Sequence, residues 1–463
     1  MKETRLTTAL AAAVLVTFAL ATAHAAPEVE VNGRIIEQSL TKSRVGYTIL
    51  SVWGTHYEMG FAHGALLARD VLFAVEEART VFAKVYDRGR ERVKTYVFEP
   101  RGILDELRGI VDGVKHVLPD ADITVTDLEI INTIADWLYP PGCNSHSSWG
   151  SRVKAPVRAL HSRRLDTPLV LKSDAVKHHV LIARAATAGE PVRWLNVAWP
   201  GYVLSLTGVN EHGVLASLHD LATDMHSKPG NGYLARMVAN RLVLTAVDGV
   251  PLARQLDFVY QLLRRYTIAT GGFINWYAPD GYGGVITCLA GQRCSKKRVP
   301  QPEFHDGEVL ITTNFETDGK SAPEWGEYID AFYAEGGAHT MQQHLDVLLG
   351  GKAFSPPTHA LSVAYRARGD MTLRFVGTID NDGTMTEPKD FEFKDLFEPQ
   401  TPTPVAAGVP KTPASQRNPD GLVPSDEPSG GCAVPPGSTN STSSLLLLLL
   451  ALGVTLRSAT RRN

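Results

Sequence analysis

Cysteine is scarce in this chain, with four in 463 residues, too few for a disulfide framework. A chain of this length can bury enough apolar surface to fold without one. Excess positive charge is missing too: 46 Lys and Arg stand against 49 Asp and Glu, for a net charge of -3. Without a basic stripe to neutralise phosphates, nucleic acid is not an expected partner. The 44% hydrophobic and 8% aromatic content separates the chain from disordered sequences. Its 15 histidines form no His-Glu-x-x-His motif and no His/carboxylate ladder, and Cys-x-x-Cys is absent, so no metal site is expected. A Gly-x-Ser-x-Gly elbow, a P-loop and a Gly-x-Gly-x-x-Gly turn between strand and helix are also lacking. Serine hydrolase, phosphate transfer and dinucleotide chemistry fall away with them, and no cofactor is expected.

The ends of the chain read as addresses. Lys2 and Arg5 precede an apolar run that closes on Ala23-His24-Ala25, the pattern of a cleaved secretory signal over residues 1–25. From 398 to 431 Pro, Gly, Ser and Thr dominate, as in a solvated linker. Residues 432–463 carry Cys432 after two glycines, a polar spacer, a Leu-rich block and terminal arginines. That block makes only about 18 Å of helix against a hydrocarbon core of about 30 Å. The tail resembles the C-terminal sorting signal of myxobacterial surface proteins, which implies processing near Cys432 by a sorting protease. The expected location is exported, either at the cell surface and outer membrane through the tail or secreted.

Between 26 and 397 helical and strand periods mix. Helices are expected over 70–97, 103–118, 127–138, 232–247, 252–266 and 340–349. Strands are expected at 168–171, 179–185, 192–198, 202–207, 214–218, 284–288, 308–313, 361–365 and 372–377. The sum is an α+β domain with a helical front segment. His178 and His179 are neighbours on a strand, so one of them is expected to meet solvent. Cys288 and Cys294, close together in an exported chain, are expected to form a small-loop disulfide.

The most informative cysteine sits in Pro140-Pro141-Gly142-Cys143. Two prolines stiffen the approach, glycine leaves the peptide bond unencumbered, and the thiol lies beside that bond's carbonyl. Those are conditions for an N-to-S acyl shift. Breaking the bond between Gly142 and Cys143 would leave Cys143 with an α-amine whose reference pKa, roughly 7.7 to 8.0, lets it take the thiol's proton near neutrality. On the turn alone, a loop with a buried or disulfide-bonded cysteine is the competing reading.

Five motifs lie around that turn. Gly54-Thr55-His56-Tyr57-Glu58-Met59-Gly60-Phe61-Ala62-His63-Gly64 comes first, and residues 143–150 read Cys-Asn-Ser-His-Ser-Ser-Trp-Gly. Ser162-Arg163-Arg164-Leu165-Asp166, Gly208-Val209-Asn210-Glu211-His212-Gly213 and Thr312-Thr313-Asn314 follow. In this order they resemble peptidase family C45, the autoproteolytic acyltransferases and amidohydrolases typified by acyl-coenzyme A:6-aminopenicillanic acid acyltransferase, in the N-terminal-nucleophile superfamily. The resemblance implies a four-layer αββα core, self-cleavage between Gly142 and Cys143, and Cys143 as the nucleophile on a linear amide or acyl thioester. It places Arg163 and Asp166 beside the nucleophile, with a plain surface ion pair as the alternative. It puts His219 where the family often has an oxyanion-hole asparagine and makes Asn314 a second site residue, whose alternative is a turn or strand-end cap. Arg164 stands where the family usually has asparagine. Arg366, Arg368 and Arg374 are candidates for the family's downstream arginine. The expected activity is amide hydrolysis or acyl transfer through a Cys143 thioester. A ceramidase-like lipid amidase and an inactive surface-displayed binding module are the alternatives.

Overall fold

The computed structural model describes residues 28–98, 102–136, 142–167, 172–221, 230–300, 305–314, 331–334, 336–350 and 357–408. The signal at 1–25, Pro140 and Pro141, the strand expected at 168–171, most of the linker and the tail with Cys432 lie outside them. In chain order come β1 (Glu28–Val31), β2 (Gly33–Leu40), β3 (Gly46–Val52), α1 (His56–Leu66), α2 (Ala68–Val81), α3 (Ala83–Val93), β4 (Tyr96–Val97), α4 (Gly102–Val117) and α5 (Val125–Thr133). Then follow β5 (Gly142–Trp149), β6 (Ala159–Asp166), β7 (His178–Arg184), β8 (Trp194–Ala198), β9 (Thr207–Asn210), β10 (Leu215–Asp220), β11 (Tyr233–Leu234), α6 (Arg236–Thr245) and α7 (Leu252–Leu263). The rest are β12 (Gly272–Tyr277), β13 (Gly284–Cys288), β14 (Lys296–Arg298), β15 (Val309–Thr312), α8 (Met341–Gly350), β16 (Pro357–Ala367), β17 (Asp370–Gly377), β18 (Lys389–Glu392) and β19 (Thr403–Ala406). The fold is a mixed one of helices and sheets.

Two large sheets carry it. One has nine strands in the order β14-β13-β12-β10-β9-β8-β7-β3-β2, and the other six, β15-β5-β6-β16-β17-β18. Successive residues of a strand point to opposite faces, and in the nine-stranded sheet both faces are apolar. Leu50, Ile182 and Trp276 pack with Met59, Val71, Leu107, Val238 and Val259 from the helices. Ile49, Leu181, Val197 and Phe273 meet Leu361, Val363 and Phe375 of the six-stranded sheet. On that sheet Leu345 of α8 packs against Ala360 and Val376.

This double coverage corrects the expectation for the paired histidines. Both His178 and His179 are buried, because β7 lies inside the nine-stranded sheet. His178 Nε2 meets Thr48 Oγ1 at 3.0 Å and its Nδ1 faces Asp70 at 3.3 Å, while the His179 ring lies against His359 and Phe375. The front segment is also not wholly helical: β2 and β3 precede α1 and enter the nine-stranded sheet, β3 pairing parallel to β7. Residues 202–206 form no strand, and β9 begins only at Thr207. Val203 and Leu204 instead give their amides to Asn132 Oδ1 at 2.7 and 3.0 Å. Residues 403–406, inside the Pro-rich stretch, pair as β19 with β1.

The motif from Gly54 to Gly64 builds the helical side. Thr55 and Glu58 form a capping box that starts α1. Gly60 and Gly64 then face Gly109 and Gly113 of α4 so closely that an added Cβ would fall 2.0 to 2.2 Å from a backbone oxygen at each of the four positions. Only glycine permits that approach.

Candidate active site around Cys143

β5 runs antiparallel to β6, with Gly142 opposite Asp166, Cys143 opposite Leu165 and Ser145 opposite Arg163. Opposed residues share a face and neighbours alternate. Cys143, Ser145 and Arg163 therefore face β10 of the other sheet, whereas Arg164 and Asp166 face α8. Cys143 is 1% exposed. Its Sγ lies 3.6 Å from the Leu218 carbonyl oxygen, to which the thiol donates, and accepts from Arg163 Nη2 at 3.4 Å. The same Nη2 donates to the Leu218 carbonyl at 2.9 Å. Burial pushes the thiol up to about 12, while the Arg163 guanidinium pulls it down. In the uncut chain the sulfur is thus a neutral thiol.

The backbone amide of Cys143 donates to Asn314 Oδ1 at 2.6 Å, and Asn314 Nδ2 donates to the Asp220 carbonyl at 3.0 Å. A donor on one side and a carbonyl on the other fix which way this amide side chain faces. Asp166 lies against Gly142: a Cβ added there would sit 3.3 Å from Asp166 Oδ2. Burial raises this carboxyl to about 6, opposed by Arg164, whose Nε donates to Oδ1 at 2.5 Å. Arg163 and Asp166 do not form a surface ion pair. Both are buried, and Asp166 pairs with Arg164, whose Nη1 also holds the Leu348 carbonyl of α8 at 2.8 Å.

His219 is brought to the site but not to the sulfur. Its Nε2 meets Ser145 Oγ at 2.6 Å and its Nδ1 the Thr313 carbonyl at 3.4 Å. The carbonyl requires Nδ1–H, so Nε2 accepts from the serine. Arg163 Nε and Nη1, in contrast, are buried without a hydrogen-bond partner. Arg366 pairs with Asp370 and Glu392, Arg368 with Glu211, and Arg374 with Asp390. The arginine that does reach the site's border is Arg236 of α6, joined to Asp220 and Asp136. No motif pointed to Arg236, and Ser145 was visible only as a serine two residues beyond Cys143. Cys288 and Cys294 are joined as a disulfide. Among the described residues no group of three or more His, Cys, Asp or Glu side chains is placed to hold a metal ion, and no helix is long and apolar enough to cross a membrane.

No family model matches the sequence, and no curated protein matches it. Among solved structures the chain is similar to a Caenorhabditis elegans ortholog of N-acylethanolamine-hydrolyzing acid amidase. The match has 12% identity and a TM-score of 0.35, and covers 48% of this chain and 92% of that one.

Proposed function

We propose that the chain is an exported, self-processing cysteine hydrolase of the N-terminal-nucleophile type, related to peptidase family C45. The observation that carries this reading is the setting of one peptide bond. The Cys143 amide is held by Asn314, its sulfur lies beside Arg163, and Gly142 lies against a carboxyl that titrates near pH 6. The packing of helices on one sheet, that sheet on the second, and α8 on the second's other face supports the four-layer αββα arrangement.

In this reading Cys143 Sγ attacks the Gly142 carbonyl carbon, the C–N bond breaks, and the thiol's proton passes to the departing nitrogen. Water then hydrolyses the thioester and leaves Cys143 with a free α-amine. That amine keeps the Asn314 contact and serves as the base when the thiol attacks a linear amide. His219 and Asn314 are already engaged by neighbours, so the unpartnered Arg163 Nε and Nη1 are the donors best supported for the developing oxyanion. Water completes hydrolysis and an amine completes transfer; outside the cytosol acyl-coenzyme A is scarce, so hydrolysis is favoured. Residues 432–463 would place the enzyme at the cell surface as substrate for a sorting protease.

Denaturing electrophoresis with N-terminal sequencing tests the reading. A fragment beginning at Cys143, absent in Cys143→Ala, supports it, and a lasting single band overturns it. A ceramidase-like lipid amidase is a second reading that shares the same machinery and differs only in its substrate. Rates that climb along an N-acyl series from acetyl to lauroyl support that reading, and a flat series rejects it.

A further inference from the structure

The strongest unassigned feature is a buried ion triad that straddles the proposed cut. Arg236 Nε donates to Asp136 Oδ1 at 2.7 Å and its backbone amide to Asp136 Oδ2 at 3.3 Å. Nη2 holds the Ala135 carbonyl at 3.0 Å, and Nη1 binds Asp220 Oδ1 and, at 3.2 Å, the Gly271 carbonyl. Thr270 Oγ1 adds a bond to the Asp136 carbonyl at 3.2 Å. Arg236, Asp136 and Asp220 are 4%, 1% and 5% exposed. Residues 135 and 136 are therefore pinned by both backbone and side chain.

Asp136 precedes the bond between Gly142 and Cys143, whereas Arg236 and Asp220 follow it. The Asp220 carbonyl holds Asn314, and Asn314 holds the Cys143 amide. One unbroken series of contacts thus runs from Asp136 through Arg236, Asp220 and Asn314 to the amide. Only six residues separate the two anchored points, and Pro140 and Pro141 lie among them. Proline fixes its own φ, so a short proline-containing sequence can pass the position of one anchored end on to the other.

We propose that Arg236 is a positioning residue for self-cleavage: it clamps the segment ahead of the cut to the strand that holds the Cys143 amide. It touches neither the sulfur nor the bond that breaks. This inference rests on the self-processing reading above. Once the bond is cut, the clamp retains the carboxyl end of the amino-terminal fragment but has no further step to accelerate. Breaking the Asp136 arm, which leaves Arg236 on Asp220 and Asn314 on the amine, therefore acts on processing and leaves turnover by the mature enzyme alone.

The test follows self-cleavage of freshly folded full-length chain by denaturing electrophoresis, then the kcat of the cleaved fraction on an N-acyl-4-methylcoumarin amide. Asp136→Asn is the main variant because it leaves Arg236 paired with Asp220. Cleavage slowed by about 100-fold, the effect of small misplacements of reacting groups, with unchanged kcat per cleaved molecule supports the clamp. Arg236→Gln is expected to slow cleavage at least as much, with partial rescue in Arg236→Lys. Asp136→Asn cleaving at the wild-type rate overturns the inference, as does a parallel fall in kcat or loss of the native fold in that variant. Failure of the unmodified chain to cut before Cys143 is a different result, which overturns the self-processing reading itself.

Discussion

Asp166 offers a sharp physical test, because its proton is tied to both the fold and the proposed cut. Burial lifts its carboxyl from 3.8 to about 6 in the native chain. A raised carboxyl means the folded state holds the proton more tightly than the unfolded state. The two states bind it equally below about pH 4. Between about pH 4 and 6 the unfolded chain gives up the proton while the native chain keeps it, so stability falls across that window and stays lost above it. Holding the carboxyl at about 6 in place of 3.8 corresponds to about 3 kcal/mol. Asp166→Asn keeps an oxygen that can accept from Arg164 Nε and removes the titration. The measurement is urea unfolding from pH 4 to 8, comparing Cys143→Ala, which stays uncut, with Cys143→Ala/Asp166→Asn. Other buried carboxyls titrate in both proteins and cancel in the difference. The stability difference should move by about 3 kcal/mol in favour of the asparagine variant between the two ends of the range. A flat difference, or one of opposite sign, refutes the assignment of a proton-holding carboxyl beside Gly142.

Two further outcomes follow from the same geometry. Arg163→Met removes the cation beside Sγ and leaves the burial that raises the thiol. Self-cleavage should slow and its pH profile should move to higher pH, whereas an unchanged profile would show that the guanidinium does not tune the sulfur. Gly64→Ala drives a methyl to 2.1 Å from the Ile110 carbonyl, so α1 and α4 must part, at a cost of about 1–3 kcal/mol. Thermal unfolding reads that loss, and a midpoint equal to wild type would mean the two helices do not meet as described.

Some of this was legible in the sequence for identifiable reasons. Cys143 stood out because two prolines and a glycine precede it, a local chemical pattern that needs no tertiary information. Helices α4 and α7 announced themselves by period, since each buries one stripe. Strand β3 did not, because all seven of its residues are buried and no alternation survives. The apolar run at 202–206 imitated a strand, yet Gly201 at φ 82° turns the chain and Asn132 and Arg241 take up its polar groups. Arg236 gave no signal at all: its carboxylate partners lie 100 and 16 residues away. The roles of Arg164 and His219 were equally hidden, being decided by α8 and by Ser145 across the sheets.

Mass spectrometry of the chain incubated with an N-acyl amide, quenched in acid and digested, tests the central claim most directly. The account predicts a peptide whose first residue is Cys143, with a free α-amine and the acyl group on Sγ as a hydroxylamine-sensitive thioester. Finding Cys143 only within peptides that run back through Gly142, with no acyl group on sulfur, would contradict it.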